Sequence, residues 1–441
     1  MHRRQRFLRE HPAYLNMEKK YELSEVLEVA SEAGHILLEN GAEISRVEDI
    51  MSRIANHYGV DSGNFFVISN GIFTTGNSEK VSKAGGQAST YANVDFIPIR
   101  GVQLSKVRAV NQLSYDIVGG RCSFEEARER IRQIRALPPK PIWEQILATG
   151  FGAGGFCAVF GGGYLDCAAA LVVGFILGAW ILLVSGRYLS KIVGGISNAL
   201  LATLLCIVSW RIGFAESLSN VIIAAMMPLV PGVPFVNGVR DLANSDYLAG
   251  LTRLTDAMLG FFCIAIGVTA SFLLDGAVFG GIVSLQGVSV NPETESYWIQ
   301  ALAALIGTMA FACLFGVDRI QYLGMGIIGA LGWMAYLVLA RQAGATAPVA
   351  ALFSAMLVCL MARVVAVPAR CPAQLFLICG LFTLVPGAGI FWSTYYLTSG
   401  DLDMATSFGF AAAKVAVAIV LGIVFAMELP QRLFSRKNGA H

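Results

Sequence analysis

The chain has 441 residues, of which 55% are hydrophobic and 14% charged, with a mean hydropathy of +0.62. Soluble globular domains carry about 25% charged residues, so a wholly soluble protein is excluded, and a net charge of +2 gives no reason to expect a nucleic-acid partner. The charge is also uneven. Residues 1–140 hold 19 of the 32 Lys and Arg and 17 of the 30 Asp and Glu, which leaves 13 of each for everything after them. A polar head is expected to precede an apolar body.

The chain opens on MHRRQRFLREHPAYLNMEKKYEL, a basic stretch with no apolar run behind it to act as a signal peptide, so the head is expected to stay in the cytoplasm. Residues 21–59 read as two amphipathic helices around Gly41, the second with Ser45 and Glu48 as a capping box. NFFVISNGIFTT and YANVDFIPIR read as strands, with a turn at Asn70-Gly71. Helices near 103–118 and 123–136 follow, the latter capped by Ser123 with Glu126, and LPPKP makes a stiff linker. The head, over 1–140, is thus a small α/β domain. Glu43, Arg46, Glu48 and Asp49 crowd one helix start, either as a solvated, capped face or as a site. GxSxG, P-loop, HExxH and GxGxxG patterns are absent, so no enzyme is expected and a regulatory or assembly surface is preferred. The nine cysteines are scattered and mostly lie in apolar stretches, with no CxxC or Cys/His cluster, so neither metal nor cofactor is expected.

A helix needs about 20 mostly apolar residues to cross a bilayer. Ten candidates lie near 144–162, 165–185, 192–210, 218–236, 251–274, 297–316, 320–340, 345–365, 373–396 and 405–427. With the N-terminus inside, the cytoplasmic loops and tail hold Arg187, Lys191, Arg240, Arg253, Arg319, Arg363, Arg370, Arg432, Arg436 and Lys437, and the outer loops hold Arg211 and Arg341. This positive-inside bias places both termini in the cytoplasm and requires an even number of spans.

Leu229-Val230-Pro231-Gly232 returns as Leu384-Val385-Pro386-Gly387, 155 residues on. At the same offset Phe156 meets Phe311, Phe160 meets Phe315, Gly161 meets Gly316, and Gly267 meets Gly422. A duplication is expected, with five spans over 141–275, an outer loop over 276–296, and five spans over 297–441. Five is odd, so the second set enters the membrane from the opposite side, as an inverted repeat. Proline breaks both LVPG helices by removing a donor and clashing with the preceding turn. Each break is a plain kink, or both mark a substrate site whose half-helix ends offer N–H groups to a carboxylate. Asp256 and Lys414 stand inside spans, on similar faces of related helices, either lining the cavity or snorkelling to water. Asn237, Arg240 and Asp241 follow the first break as candidate gate residues, and Trp392, Thr394 and Tyr395 follow the second as an aromatic, hydroxyl-bearing wall. Asn198 and Asn220 read as interhelical glue or cavity groups.

GAEISRVEDIMSRIANHYGV with FFVISNGIFTT resembles the N-terminal signature of the threonine/serine exporter (ThrE-type) family. PLVPGVPFVNGVRDL is similar to its membrane motif, and LFTLVPGAGIFW to its smaller C-terminal module. The resemblance runs from about Tyr21 to Leu429 and implies a cytoplasmic head with about ten spans. It implies export of L-threonine and L-serine across a bacterial inner membrane, driven by protons. Pro231, Gly232, Asn237, Asp241, Pro386 and Gly387 are its motif positions here. Two-chain members resemble dicarboxylate (succinate) exporters, so that substrate stays open, as do a channel, a sensor and homo-oligomerisation.

Overall fold

The computed structural model describes residues 21–60, 63–77, 90–97, 101–280, 296–369 and 371–429. Among the predicted features, residues 98–100 of the second strand, most of the outer loop, and Arg370, Arg432, Arg436 and Lys437 lie outside the described residues. The chain divides into two compact units, Met1–Pro138 with Asp246–Ala249 and Pro139–Ser245 with Gly250–His441.

The first unit is the predicted α/β head. Helices α1 (Leu23–Glu39) and α2 (Ile44–His57) are followed by strands β1 (Asn64–Ile68), β2 (Gly71–Asn77) and β3 (Thr90–Phe96), then α3 (Leu104–Val118) and α4 (Phe124–Arg135). Ile44, Val47, Ile50, Met51 and Ile54 recur at helical spacing and are buried. The sheet is antiparallel in the order β1-β2-β3, with Phe66 opposite Phe73 and Phe73 opposite Val94. Val67 and Ile72 point into the core, while Phe66, Phe73, Val94 and Phe96 are left exposed on the other face.

Two local expectations need correction. The N-cap of α2 is Glu43, and Ser45 and Glu48 form no capping box; Glu48 instead accepts a hydrogen bond from the Val67 amide at 3.2 Å, which ties the helix to β1. The hairpin turn is Ser69-Asn70, because Gly71 already pairs with Ile68. The predicted cap of α4 stands, with Ser123 Oγ accepting from the Glu126 amide at 3.3 Å.

The second unit is all helical. Its first part contains α5 (Ile142–Val159), α6 (Tyr164–Trp180, continued by a π-turn over Ile181–Ser185 and a short turn to Tyr188), α7 (Lys191–Arg211), α8 (Leu218–Met226), α9 (Gly232–Ala243) and α10 (Tyr247–Phe279). Its second part contains α11 (Tyr297–Leu314), α12 (Tyr322–Arg341), α13 (Ala347–Ala369), α14 (Ala373–Leu381), α15 (Gly387–Ser399) and α16 (Leu402–Glu428). The offset of 155 reproduces both ends of α5 in α11 and of α8 in α14, and the first residues of α9 and α10 in α15 and α16. The ends of α5 and α11 are bonded alike. Gly162 N donates to Cys157 O and Val317 N to Ala312 O, around Gly161 and Gly316 at φ of +85° and +66°.

Among the described residues, seven helices are long and apolar enough to cross a membrane. Two further candidates are bent pairs, Leu218–Leu229 with Gly232–Ala243 at 63° and Ala373–Leu384 with Gly387–Leu397 at 50°, so the count rises to nine if each pair is one span. The first of the ten predicted segments forms α5, but Glu144, Gln145 and four glycines dilute its hydropathy and it falls outside that count.

The glycines of α5 serve packing. A Cβ on Gly155 would lie 3.1 Å from both Ala303 O and Gly307 N of α11, so only glycine lets the two backbones approach this closely. Gly155→Val is expected to destabilise the protein by about 1–3 kcal/mol, read as a lower thermal midpoint in detergent. In the head, burial pushes the Asp116 carboxyl up, but hydrogen bonds from Arg130 and Gln112 outweigh it and hold its pKa below the usual value. A depressed folded pKa stabilises above the unfolded pKa, about 3.9, and that contribution is lost as pH falls through the folded value. Arg130→Ala should therefore weaken amide-exchange protection of α3 and α4 near pH 6, with the difference from the parent shrinking below about pH 4.

Candidate functional site

The two breaks are built alike. Met227–Leu229 and Phe382–Leu384 each make one 3₁₀ turn, and the chain then extends through Val230 (φ −62°, ψ 123°) and Val385 (φ −59°, ψ 129°). Pro231 (φ −76°, ψ 55°) and Pro386 (φ −75°, ψ 50°) sit at the centre of inverse γ-turns, with Gly232 N and Gly387 N donating to Val230 O and Val385 O at 2.7 Å. New helices start at those glycines, and Pro234 falls in the first turn of α9, where no in-helix donor is needed.

The breaks also meet each other. A Cβ on Gly232 would lie 2.8 Å from Phe382 Cε2, and one on Gly387 would lie 3.1 Å from Met227 Sδ. Positions 227 and 382 are 155 apart, as are 232 and 387, so each contact is the other with the halves exchanged. Phe156 meets Phe311, its own counterpart, edge to face at 5.2 Å. Asp166 accepts from the Glu216 and Ser217 amides at 2.8 and 2.9 Å, and at the equivalent place Gln321 donates to Cys371 Sγ at 3.7 Å.

Beside the breaks lies a narrow cleft. Ile223, Met226, Met227 and Val230 form one wall, Phe261, Ile264, Ala265 and Val268 of α10 a second, and Gly387, Ile390, Phe391, Thr394 and Tyr395 of α15 the third. Its surface is almost wholly apolar, with the Thr394 and Tyr395 hydroxyls as its polar side chains. Both α10 and α15 contribute residues spaced i, i+3, i+4, i+7, which is one face of a helix. Sequence reasoning missed Met226, Met227 and the α10 face because they look like any apolar span; the 3.6-residue spacing beside a proline break is the signal that finds them.

Of the predicted site residues, Gly387 and Thr394 line the cleft, and Pro231, Gly232 and Pro386 form the breaks next to it. Trp392 is buried and packs on Phe391, Tyr395, Tyr396 and Phe408 instead. Asn237, Arg240 and Asp241 are all buried on α9. Asp241 pairs with Arg253 of α10 at 2.7 Å, both side chains buried, and Arg240 Nη2 donates to Met427 Sδ of α16 at 3.2 Å. The structure does not bring Asp256 or Lys414 into the cleft. Asp256 forms an ion pair with exposed Lys191, and Lys414 is exposed on α16. Asn198 and Asn220 are buried and also stand outside the cleft lining. In the head, Arg46 faces Glu43 at 3.5 Å and Arg53 faces Asp49 at 2.6 Å, while Arg53 also donates to Ser114 and lies over the Tyr115 ring. Burial pushes the Glu48 carboxyl up, against the lowering effect of its bond from Val67. Among the described residues no group of His, Cys, Asp and Glu could hold a metal.

Long apolar helices, two of them broken at matching places beside a cleft, describe a multi-pass membrane protein. The chain belongs to the threonine/serine exporter family. The family described as "Putative threonine/serine exporter" matches residues 28–274, and that described as "Threonine/Serine exporter, ThrE" matches 300–428. The threonine/serine exporter of Corynebacterium glutamicum is 20% identical over 97% of this chain and 89% of its own. Probable succinate transporter subunit YjjP of Klebsiella aerogenes is 26% identical over 54% of this chain and 90% of its own, and that of Escherichia coli is 25% identical over 57% and 95%. No solved structure matches the chain at a significant level.

Truncating Asp241 removes a carboxylate from the buried Arg253 guanidinium, and broken buried pairs cost about 3–5 kcal/mol. Asp241→Ala is expected to lower the unfolding midpoint in detergent strongly. The double variant Asp241→Leu with Arg253→Met should recover most of that loss.

Proposed function

We propose that the protein exports small hydroxy amino acids, L-threonine and L-serine, across a bacterial inner membrane by alternating access between two inverted five-span halves, coupled to protons. The observation that carries this reading is the pair of identically broken helices, each packed against the other in the same way. Unpaired backbone is tolerated at membrane depth where it is buried in protein or lines a cavity, and matched breaks in two halves are the usual place for a solute site. Five spans per half include α5 and bring the total to ten. The loop charges favour cytoplasmic termini, and the head then serves as a regulatory or assembly surface, with a homo-oligomer as one arrangement.

The cleft suits this class of solute. Thr394 and Tyr395 carry hydroxyls that match a hydroxy amino acid. The cleft's enclosed part is only the size of one or two waters, so loading requires the halves to move. A second reading, export of a dicarboxylate, is favoured by the likeness to the succinate transporter subunits; coverage of nearly the whole chain by the Corynebacterium relative favours amino acids.

Counterflow of labelled L-threonine, L-serine and succinate into preloaded proteoliposomes, with and without a pH gradient, separates these readings. Threonine and serine are expected to exchange, faster with the gradient. Exchange of succinate alone would make the protein a dicarboxylate carrier.

A further inference from the structure

Threonine hydroxyls on apolar helices have a usual resting place. They donate to the carbonyl four residues back, which satisfies them within their own helix. Thr149, Thr269 and Thr308 do so, to Gln145 O, Ala265 O and Ala304 O at 2.8, 2.9 and 2.7 Å. Thr394 of α15 does not. Among the described residues its Oγ1 has no hydrogen-bond partner, and the residue stands half-buried in the wall of the cleft. Thr203 also lacks a partner, but it is wholly buried on α7 and outside the cleft lining. The cleft's other hydroxyl belongs to a side chain that is already partnered. The Tyr395 ring packs on Phe272, Phe391 and Trp392, with centroids 5.8, 6.5 and 5.7 Å apart. The rest of the lining is apolar, with Met226, Met227, Phe261, Ile390 and Phe391 prominent in it.

We propose that Thr394 is the specificity-determining residue of the cleft, and that its hydroxyl pairs with the side-chain hydroxyl of the solute. It thereby selects L-threonine and L-serine over amino acids with an apolar side chain. This rests on the amino-acid reading above. The decisive comparison is L-valine, which has the shape of L-threonine with a methyl in place of the hydroxyl. An apolar wall alone favours valine, because burying the solute hydroxyl without a partner is costly. A hydroxyl in the wall reverses that order. It is one donor and two acceptors, so it gives or takes a bond with the solute hydroxyl. Valine would instead bury it unpaired, which costs about ten- to hundredfold in affinity. The apolar lining reads the other arm of the side chain. Threonine carries a methyl that serine lacks, and burying one methyl is worth about fourfold. The cleft thus ranks threonine above serine, and serine above valine.

The test is counterflow of labelled L-threonine into proteoliposomes, competed by unlabelled L-threonine, L-serine and L-valine. In the parent protein the half-inhibiting concentration of serine is expected to lie about fourfold above that of threonine, and that of valine about ten- to hundredfold above it. Thr394→Val should lower the valine-to-threonine ratio by about tenfold or more and let labelled valine itself exchange. Thr394→Ala gives the same reading if the valine variant does not fold. Thr394→Ser keeps the hydroxyl and should hold the ratio within about twofold. Tyr395→Phe removes the cleft's other hydroxyl and should move the ratio far less than Thr394→Val. An unchanged ratio in the Thr394→Val and Thr394→Ala variants overturns the assignment, as does a fall in Tyr395→Phe as large as that in Thr394→Val. Loss of both threonine and valine exchange in a folded variant overturns it too, and so does a parent that exchanges valine as readily as threonine. If the parent carries succinate and neither hydroxy amino acid, the amino-acid reading itself fails and takes this assignment with it.

Discussion

Inside a bilayer no water is available to satisfy a backbone N–H or C=O, and this chain interrupts its own hydrogen-bond ladder twice. Much of the helical body answers that constraint. Each Val-Pro-Gly turn closes with one short bond from the glycine amide to the valine carbonyl, and each is covered by the side chain at position 227 or 382 of the opposite half. The two halves are thus obliged to meet at their weakest points. Bends of 63° and 50° prevent the broken helices from packing flush along their length, and the cleft is the space this leaves between them and α10.

A great deal of this was legible in the residues. Proline and glycine have strict backbone requirements, so LVPG marked both breaks, and the 155-residue offset between the motifs recurs in helix ends that no local propensity would set. Hydrophobic runs located most of the long helices within a few residues, and α5 trades apolar bulk for glycine and so looks weaker than it packs. What was not legible was which way side chains face. Asp256 and Lys414 were singled out by depth and by their similar faces on related helices, and neither tells an inward face from an outward one. The Lys191 partner of Asp256 is 65 residues away, beyond any periodicity argument. The capping box at Ser45 failed for a related reason, because Glu48 found a stronger tertiary partner in the Val67 amide.

The family matches end and resume at 274 and 300, on either side of the point where the first set of helices gives way to the second. The first module carries the head and one broken helix, the second carries the other, and each break is met by a side chain of the opposite module. Relatives that match 54% and 57% of this chain over nearly all of their own length, and are named as subunits, accord with halves made separately.

Phe156 and Phe311 add a consequence of a different kind. Each ring is packed against its own counterpart, so the size of one sets the space for the other. A change in volume at 156 is therefore felt directly at 311. Arg240 and Tyr395 are equivalent too, but each rests on a different neighbour, Met427 and Phe272. The centre of the molecule is thus matched across the two sets of helices, while positions 240 and 395 differ in chemistry.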